Sequence, residues 1–148
     1  MEINIRRAEA SDALSLSDLY KEFINADSNI MLMQDQIERI SSNNNYCVAV
    51  ACIGNEVVGT AMGIVCYDLV GNCNSYLLIE NVVISKEHRG KGIGKLLMIY
   101  VEEFGRDNMC NYAFLVSGNN QVESHKFYES IGYTGSAMGF RKRFWSQI

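Results

Sequence analysis

The stretch ENVVISKEHRGKGIGKLL, residues 80–97, sets Gly90, Gly92 and Gly94 at alternate positions between two apolar runs, with Arg89, Lys91 and Lys95 beside them. YLLIENVVI (76–84) reads as a strand and GIGKLLMIYVEEFGRD (92–107) as a helix, with Leu96, Leu97, Ile99, Tyr100, Val101 and Phe104 supplying its apolar positions. A strand that turns into a helix leaves the first N–H groups of that helix without acceptors, and the helix dipole favours negative charge at the same place. Glycine lets the backbone approach a ligand closely and adopt positive φ, while the neighbouring cations strengthen the field. A plain solvated turn needs one glycine and has no use for three among clustered cations. The stretch is therefore a candidate phosphate-binding turn.

Spacing narrows the ligand. A nucleoside-triphosphate loop, G-x-x-x-x-G-K-[ST], fails because Gly94 is four positions after Gly90 and Leu96 occupies the place of the magnesium-binding hydroxyl. The dinucleotide fingerprint G-x-G-x-x-G fails too, since the glycines give G-x-G-x-G late in the chain, after a mainly antiparallel region.

Outward from the turn, NYAFLV (111–116) reads as the strand that completes a βαβ unit, and QVESHKFYESI (121–131) as a second helix ending at Gly132. GYTGSAMGFRKRFW (132–145) reads as a final strand or two, whose RKRF charges suit a solvated edge better than a nucleic-acid contact. Towards the N-terminus, INIRRA (3–8) alternates as a short strand. In SDALSLSDLYKEFI (11–24), Ala13, Leu16, Leu19, Phe23 and Ile24 lie on one helical face, with Ser11 placed to cap it. MLMQDQIERIS (31–41) reads as a further helix, and YCVAVACI (46–53) and VVGTAMGIVCY (57–67) as a hairpin turning at Gly54 and Asn55.

A chain of 148 residues, 48% hydrophobic and 20% charged, suits one globular domain spanning 1–148. A formal net charge of −4 argues against a general nucleic-acid binder. Cysteines 47, 52, 66, 73 and 110 form no C-x-x-C pair and sit mostly among apolar neighbours, which points to buried, reduced thiols and no metal. The start, MEINIRRAEA, lacks a signal-peptide profile and no apolar run approaches the ~20 residues of a membrane span. A cytoplasmic protein without membrane contact is expected.

RGKGIG resembles the acetyl-coenzyme A signature of the GNAT N-acetyltransferase superfamily, R/Q-x-x-G-x-G/A, met by Arg89, Gly92 and Gly94. ESHKFYESIGY (123–133) resembles the family's second pattern, A-x-x-F-Y-x-x-x-G-F/Y, and the order of elements agrees across nearly the whole chain. The resemblance implies a mixed α/β (α+β) fold with a central, mostly antiparallel sheet flanked by helices and splayed at the cofactor site. It also implies that the backbone of Val82, Val83 and Ile84 lines the pantetheine arm, as an added strand would. Arg89, Gly90, Lys91, Gly92, Ile93, Gly94 and Lys95 would then cradle the pyrophosphate.

The implied chemistry is acetyl transfer from acetyl-coenzyme A to a primary amine of a small molecule or peptide, by direct attack in a ternary complex. The amine must lose a proton, the developing oxyanion needs an N–H donor, and the departing thiolate benefits from a proton. Tyr128 matches the family's general acid beside the sulfur. Glu80, which with Asn81 interrupts an apolar strand, stands where the family often has a base acting directly or through water; Asp68 or a water relay is the alternative. The oxyanion donor would be a backbone N–H near Val82 or Val83. The chain departs from the family at Gln121 and Ser124, where asparagine and alanine are frequent, which makes Asn120 the candidate substitute contact to the cofactor. Lys86 replaces a frequent proline in the turn, and His125 reads as a packed or exposed helix residue.

In the family, the segment around NADSNIMLMQDQ (25–36) and the region GYTGSAMGF (132–140) shape the amine site, where Asp27, Asp35 and Asp68 would favour a cation. The tail is also similar to a subgroup of small-amine acetyltransferases. A monomer or homodimer is expected. The competing reading is a non-catalytic acetyl-coenzyme A sensor with the same fold.

Overall fold

The computed structural model describes residues 1–145. In chain order the elements are β1 (Asn4–Arg7), α1 (Ala13–Ile24), α2 (Ile30–Ser41), β2 (Tyr46–Ile53), β3 (Glu56–Cys66), β4 (Tyr76–Ile84), α3 (Ile93–Asp107), β5 (Ala113–Phe114) and α4 (Val122–Ser130). The contacts divide the chain into two compact units, Met1–Leu115 and Val116–Ile148.

The first unit holds a five-stranded sheet in the order β1-β2-β3-β4-β5. The first four strands run antiparallel, and β5 joins β4 in parallel. Ile53 pairs with Glu56 across the tight turn at Gly54 and Asn55, and Gly54 takes a φ of +58°. Glycine at the first central position of a two-residue hairpin accepts that conformation without a steric cost.

Both faces of β2 are covered, which is why YCVAVACI carries an unbroken apolar run instead of an alternation. On one face Val48, Val50 and Cys52 pack with Leu16 and Leu19 of α1 and Ile37 of α2. On the other, α3 lies over small residues of β3. A Cβ placed on Gly59 would meet Leu97 Cδ1 at 3.1 Å, and one on Gly63 would meet Val101 Cβ at 3.5 Å. Ile93, Leu97, Met98 and Val101 of α3 are buried, whereas Leu96 and Ile99, expected on the apolar face, are 39% and 41% exposed. Neither sits on the 3.6-residue stripe that runs through 93, 97 and 101.

The start of α1 differs from expectation. A 3-10 turn over Ala10–Asp12 precedes it, and Asp12, not Ser11, occupies the position ahead of the helix. Asp12 is 6% exposed and accepts Arg6 NH1 at 2.7 Å, Arg6 NH2 at 2.9 Å and the Glu9 N–H at 2.8 Å. Phe23, expected on the buried face, is 54% exposed, because that face is spent on Ala13, Leu16 and Leu19. The start of α2 is capped by Asn29, whose Oδ1 accepts the Leu32 N–H at 3.0 Å. All five cysteines are free; Cys47 and Cys52 are buried, but Cys73 is exposed in the β3–β4 loop, contrary to a uniformly buried set.

The second unit contains α4 and an irregular tail. No strand forms over 133–145 among the described residues, which corrects the expected final strands. Gly132, Gly135 and Gly139 interrupt any alternation there, and Phe140, Phe144 and Trp145 stay exposed, so a ladder would gain little packing. The RKRF charges are solvated, as expected, but not on a strand. Among the described residues no helix is long and apolar enough to cross a membrane.

The Arg6–Asp12 pair gives the first prediction. The Arg6 guanidinium, chiefly by hydrogen bonding, holds the Asp12 carboxyl below the ordinary carboxylate range. The stability it contributes is therefore complete above the unfolded value of ~3.9 and drains away as the pH falls through the lower folded value. Arg6 is about a third exposed, which discounts the cost of breaking the pair: Asp12→Ala should lower unfolding stability by about 2 kcal/mol in urea titrations at pH 7, and by progressively less as the pH falls below ~3.9.

Candidate functional site

Two irregularities in β4 organise the site. The first is a bulge. Thr60 pairs with Val83 and Met62 with Glu80, so Ala61 on β3 stands opposite both Asn81 and Val82. Asn81 absorbs the extra residue with a φ of +55°, in the left-handed region that asparagine tolerates better than most side chains. The extra residue inverts the phase of the strand. Before it, Leu77 faces α3, where Gly105 closes on it; after it, Ile84 faces α3, beside Gly59, while Val83 joins the core under α1 and α2. Glu80 stands opposite Met62, half-buried, on the α1 and α2 face.

The second irregularity is the loss of a neighbour. β4 pairs with β5 only through Leu77 with Ala113 and Leu78 with Phe114. From Ile79 to Ile84 that edge has no strand partner among the described residues. A row of unpaired backbone groups is a template for an extended ligand. Val82, Val83 and Ile84 lie on this stretch.

The turn beyond β4 leads straight to α3. Ser85 N–H donates to Val58 O at 2.9 Å, Lys86–His88 form one 3-10 turn, and Gly90 and Gly92 take φ of +73° and +81°. Gly92 occupies the capping position of α3, and no side chain caps this end. The Leu96 N–H already donates to Gly92 O, so the open donors are those of the first turn, at Ile93, Gly94 and Lys95. A Cβ on Gly90 or Gly92 would meet nothing within 4 Å, so these glycines are required by conformation and leave an open approach to the N–H groups. Lys95 is exposed, while Lys91 donates its Nζ to Glu87 O at 3.1 Å.

Arg89 makes two contacts within the protein. Its Nε donates to Ile84 O at 3.1 Å and its NH2 reaches Glu22 Oε2 at 3.5 Å, so much of the guanidinium braces the turn. Glu22 gave no signal in the sequence, because its place beside the turn depends on how α1 crosses the sheet. Among the carboxylates considered for a cationic acceptor, Asp27 pairs with Lys21 Nζ at 3.0 Å and Asp68 accepts the N–H groups of Leu69 and Val70 in its own exposed loop.

In the second unit, Tyr128 lies on α4, its ring 5.2 Å from Phe127 and 5.9 Å, edge-on, from Tyr133. Burial pushes its phenol above the ordinary value, so it keeps its proton throughout the neutral range. Asn120 and Gln121 are exposed just ahead of the helix. His125 Nε2 lies 2.8 Å from Gly118 O, to which it donates, tying the preceding loop to α4. That is a structural use, as its lone position implied. Among the described residues no group of three or more His, Cys, Asp or Glu side chains could hold a metal ion.

The chain combines a mixed sheet that opens along β4, a bulge in that strand and an uncapped helix end beyond it. The family model for "Acetyltransferase (GNAT) family" matches residues 13–133, and the chain belongs to that family. A probable glucosamine 6-phosphate N-acetyltransferase of Drosophila melanogaster is 32% identical over 79 residues, 53% of this chain and 35% of that protein. Human N-acetyltransferase 8B is 30% identical over 108 residues, 73% of this chain and 47% of that protein. The chain thus spans less than half the length of either relative. The fold is shared with the crystal structure of glucosamine-6-phosphate N-acetyltransferase from Arabidopsis thaliana at a TM-score of 0.85 and 21% identity, covering 97% of this chain and 99% of that one.

The turn makes a direct prediction. A β-branched residue at a φ of +81° is strained whatever space surrounds it. Gly92→Val should therefore abolish coenzyme A binding measured by calorimetry, and an affinity near wild type would remove the turn from the cofactor site.

Proposed function

We propose that this protein is an N-acetyltransferase that moves the acetyl group of acetyl-coenzyme A to a primary amine of a small molecule or peptide, by direct attack within a ternary complex. The observation that carries the reading is the continuity from the unpaired edge of β4 into the uncapped N-terminus of α3. The two supply, in order, pairing groups for an extended amide-bearing arm and N–H donors with a favourable dipole for its diphosphate. The residues fit the cofactor: positive-φ glycines leave the donors bare, and Lys95 stands in solvent beside them.

When bound, acetyl-coenzyme A supplies an acyl carbon activated by its thioester. The chain's residues do the rest. Glu80, directly or through water, takes a proton from the attacking amine. A backbone N–H near Val82 or Val83, beside the bulge, donates to the carbonyl oxygen as charge develops on it. Tyr128, kept protonated by burial, gives its phenolic proton to the departing thiolate. Asn120 is the candidate side-chain contact to the cofactor. The acceptor is proposed only as a class, a primary amine.

Purified protein incubated with acetyl-coenzyme A and a panel of small amines and amine-terminated peptides should release free thiol and yield products heavier by one acetyl group in mass spectra. Binding without thiol release from any acceptor would favour a sensor. With an acceptor in hand, Tyr128→Phe should lower kcat by roughly 100-fold while changing coenzyme A affinity far less, and an unaltered kcat would end its acid role. Glu80→Gln should lower kcat/KM by a similar ~100-fold at pH 7 and by less at high pH, where the amine loses its proton unaided. A uniform loss at every pH would instead mark Glu80 as a packing residue.

A further inference from the structure

The turn between β4 and α3 must present its N–H groups in one direction, yet it contains two glycines with positive φ and no proline. Something has to hold it. Within the turn, His88 N–H donates to Ser85 O at 2.9 Å and Lys91 Nζ to Glu87 O. Among the described residues, hydrogen bonds reach it from two other elements besides β4, namely β3 and α1. Val58 O accepts the Ser85 N–H from β3, which fixes the exit from β4 but not the glycines beyond. The other source is Glu22, in the last turns of α1, 64 positions from Lys86 and 67 from Arg89 in sequence.

Glu22 makes both of its contacts at once. Oε1 lies 3.5 Å from the Lys86 N–H nitrogen, and Oε2 lies 3.5 Å from Arg89 NH2. Its side chain is 23% exposed, against 57% for Arg89, so the carboxylate is the sheltered partner. Arg89 in turn holds Ile84 O through Nε, and its NH1 has no partner among the described residues. One carboxylate thus ties the entry of the turn and, through Arg89, its glycine-bearing half to α1, while Arg89 keeps a donor free.

We propose that Glu22 is a positioning residue for the coenzyme A site. It fixes the Lys86–Gly92 turn against α1 through the Lys86 N–H and Arg89, so that the open N–H groups ahead of α3 are set before the diphosphate arrives. The diphosphate part of this inference rests on the function proposed above; the tie itself does not. A preset turn binds more tightly because less ordering remains to be done on association. The arrangement also explains why the turn does without the proline frequent in the family, since Lys86, the residue in that place, donates to Glu22 an N–H that proline lacks. A carboxylate beside a diphosphate would repel it, but Arg89 screens this one.

The test uses the whole chain and two variants, Glu22→Ala and Glu22→Gln. Hydrogen–deuterium exchange without any ligand should show residues 85–92 exchanging several-fold faster in Glu22→Ala, on the order of 5-fold, with the amides of β2 unchanged. Glu22→Gln, which keeps an oxygen for the Lys86 N–H, should fall between. By calorimetry, coenzyme A should bind roughly 3- to 10-fold more weakly to Glu22→Ala than to wild type, with KM for acetyl-coenzyme A rising by a larger factor than kcat falls. Unchanged exchange over 85–92 in both variants would overturn the proposal, as would tighter coenzyme A binding in Glu22→Ala, which would make the carboxylate a repelling charge and not a tie. If wild-type protein bound no coenzyme A, the functional reading would fall and the exchange comparison would still decide the tie.

Discussion

A strand inside a sheet normally satisfies its backbone on both sides, and this structure turns on the place where β4 stops doing so. Pairing with β5 ends at Leu78, and from Ile79 onward the edge is open. An open edge costs free energy unless something pairs with it or water reaches it. Here the remainder of β4 is held from its other side by β3 and from above and below by Ile84 near Gly59 and Val83 under α1 and α2. A strand anchored on three sides can keep the fourth free. The bulge at Asn81 depends on the same support, since a left-handed asparagine inside a ladder survives only where its neighbours fix it.

The helices serve this opening in different ways. α3 comes close to the sheet because Gly59 and Gly63 offer no side chain, and it brings its uncapped N-terminus to the end of β4. α1 crosses the other face and carries Glu22 to the turn between them. The bidentate Arg6–Asp12 contact fixes the start of α1 to β1, so the placement of Glu22 is tied through a rigid helix to the first strand. Glycine, carboxylate and strand edge act on one short segment. Packing and electrostatics meet there.

Some of this was legible from residue types alone. The alternating glycines of RGKGIGK excluded two nucleotide loops by spacing, and the apolar runs around them placed β4 and α3 within a residue or two. Other features were not. Phe23 was assigned to a buried face because helical periodicity does not say how wide a face the sheet can cover. The tail over 132–145 reads as a final strand or two, but its glycines and the lack of a ladder leave it irregular. Ser11 looked like a cap because local sequence cannot see Arg6, which draws Asp12 into the role of anchor.

By itself, the sequence determined the elements from β1 to α4 and the course of the turn, because these rest on local rules of periodicity and glycine placement, and two motifs carried the resemblance to the family. The tertiary structure decided what the individual polar groups do. That the Glu22 carboxylate meets the Lys86 N–H and the Arg89 guanidinium depends on distances between residues far apart in the chain. A charge has no partner until the chain is folded around it. Glu80 shows both limits together: its place in an apolar strand marked it from the start, but only the bulge beside it settled which face of the sheet it occupies.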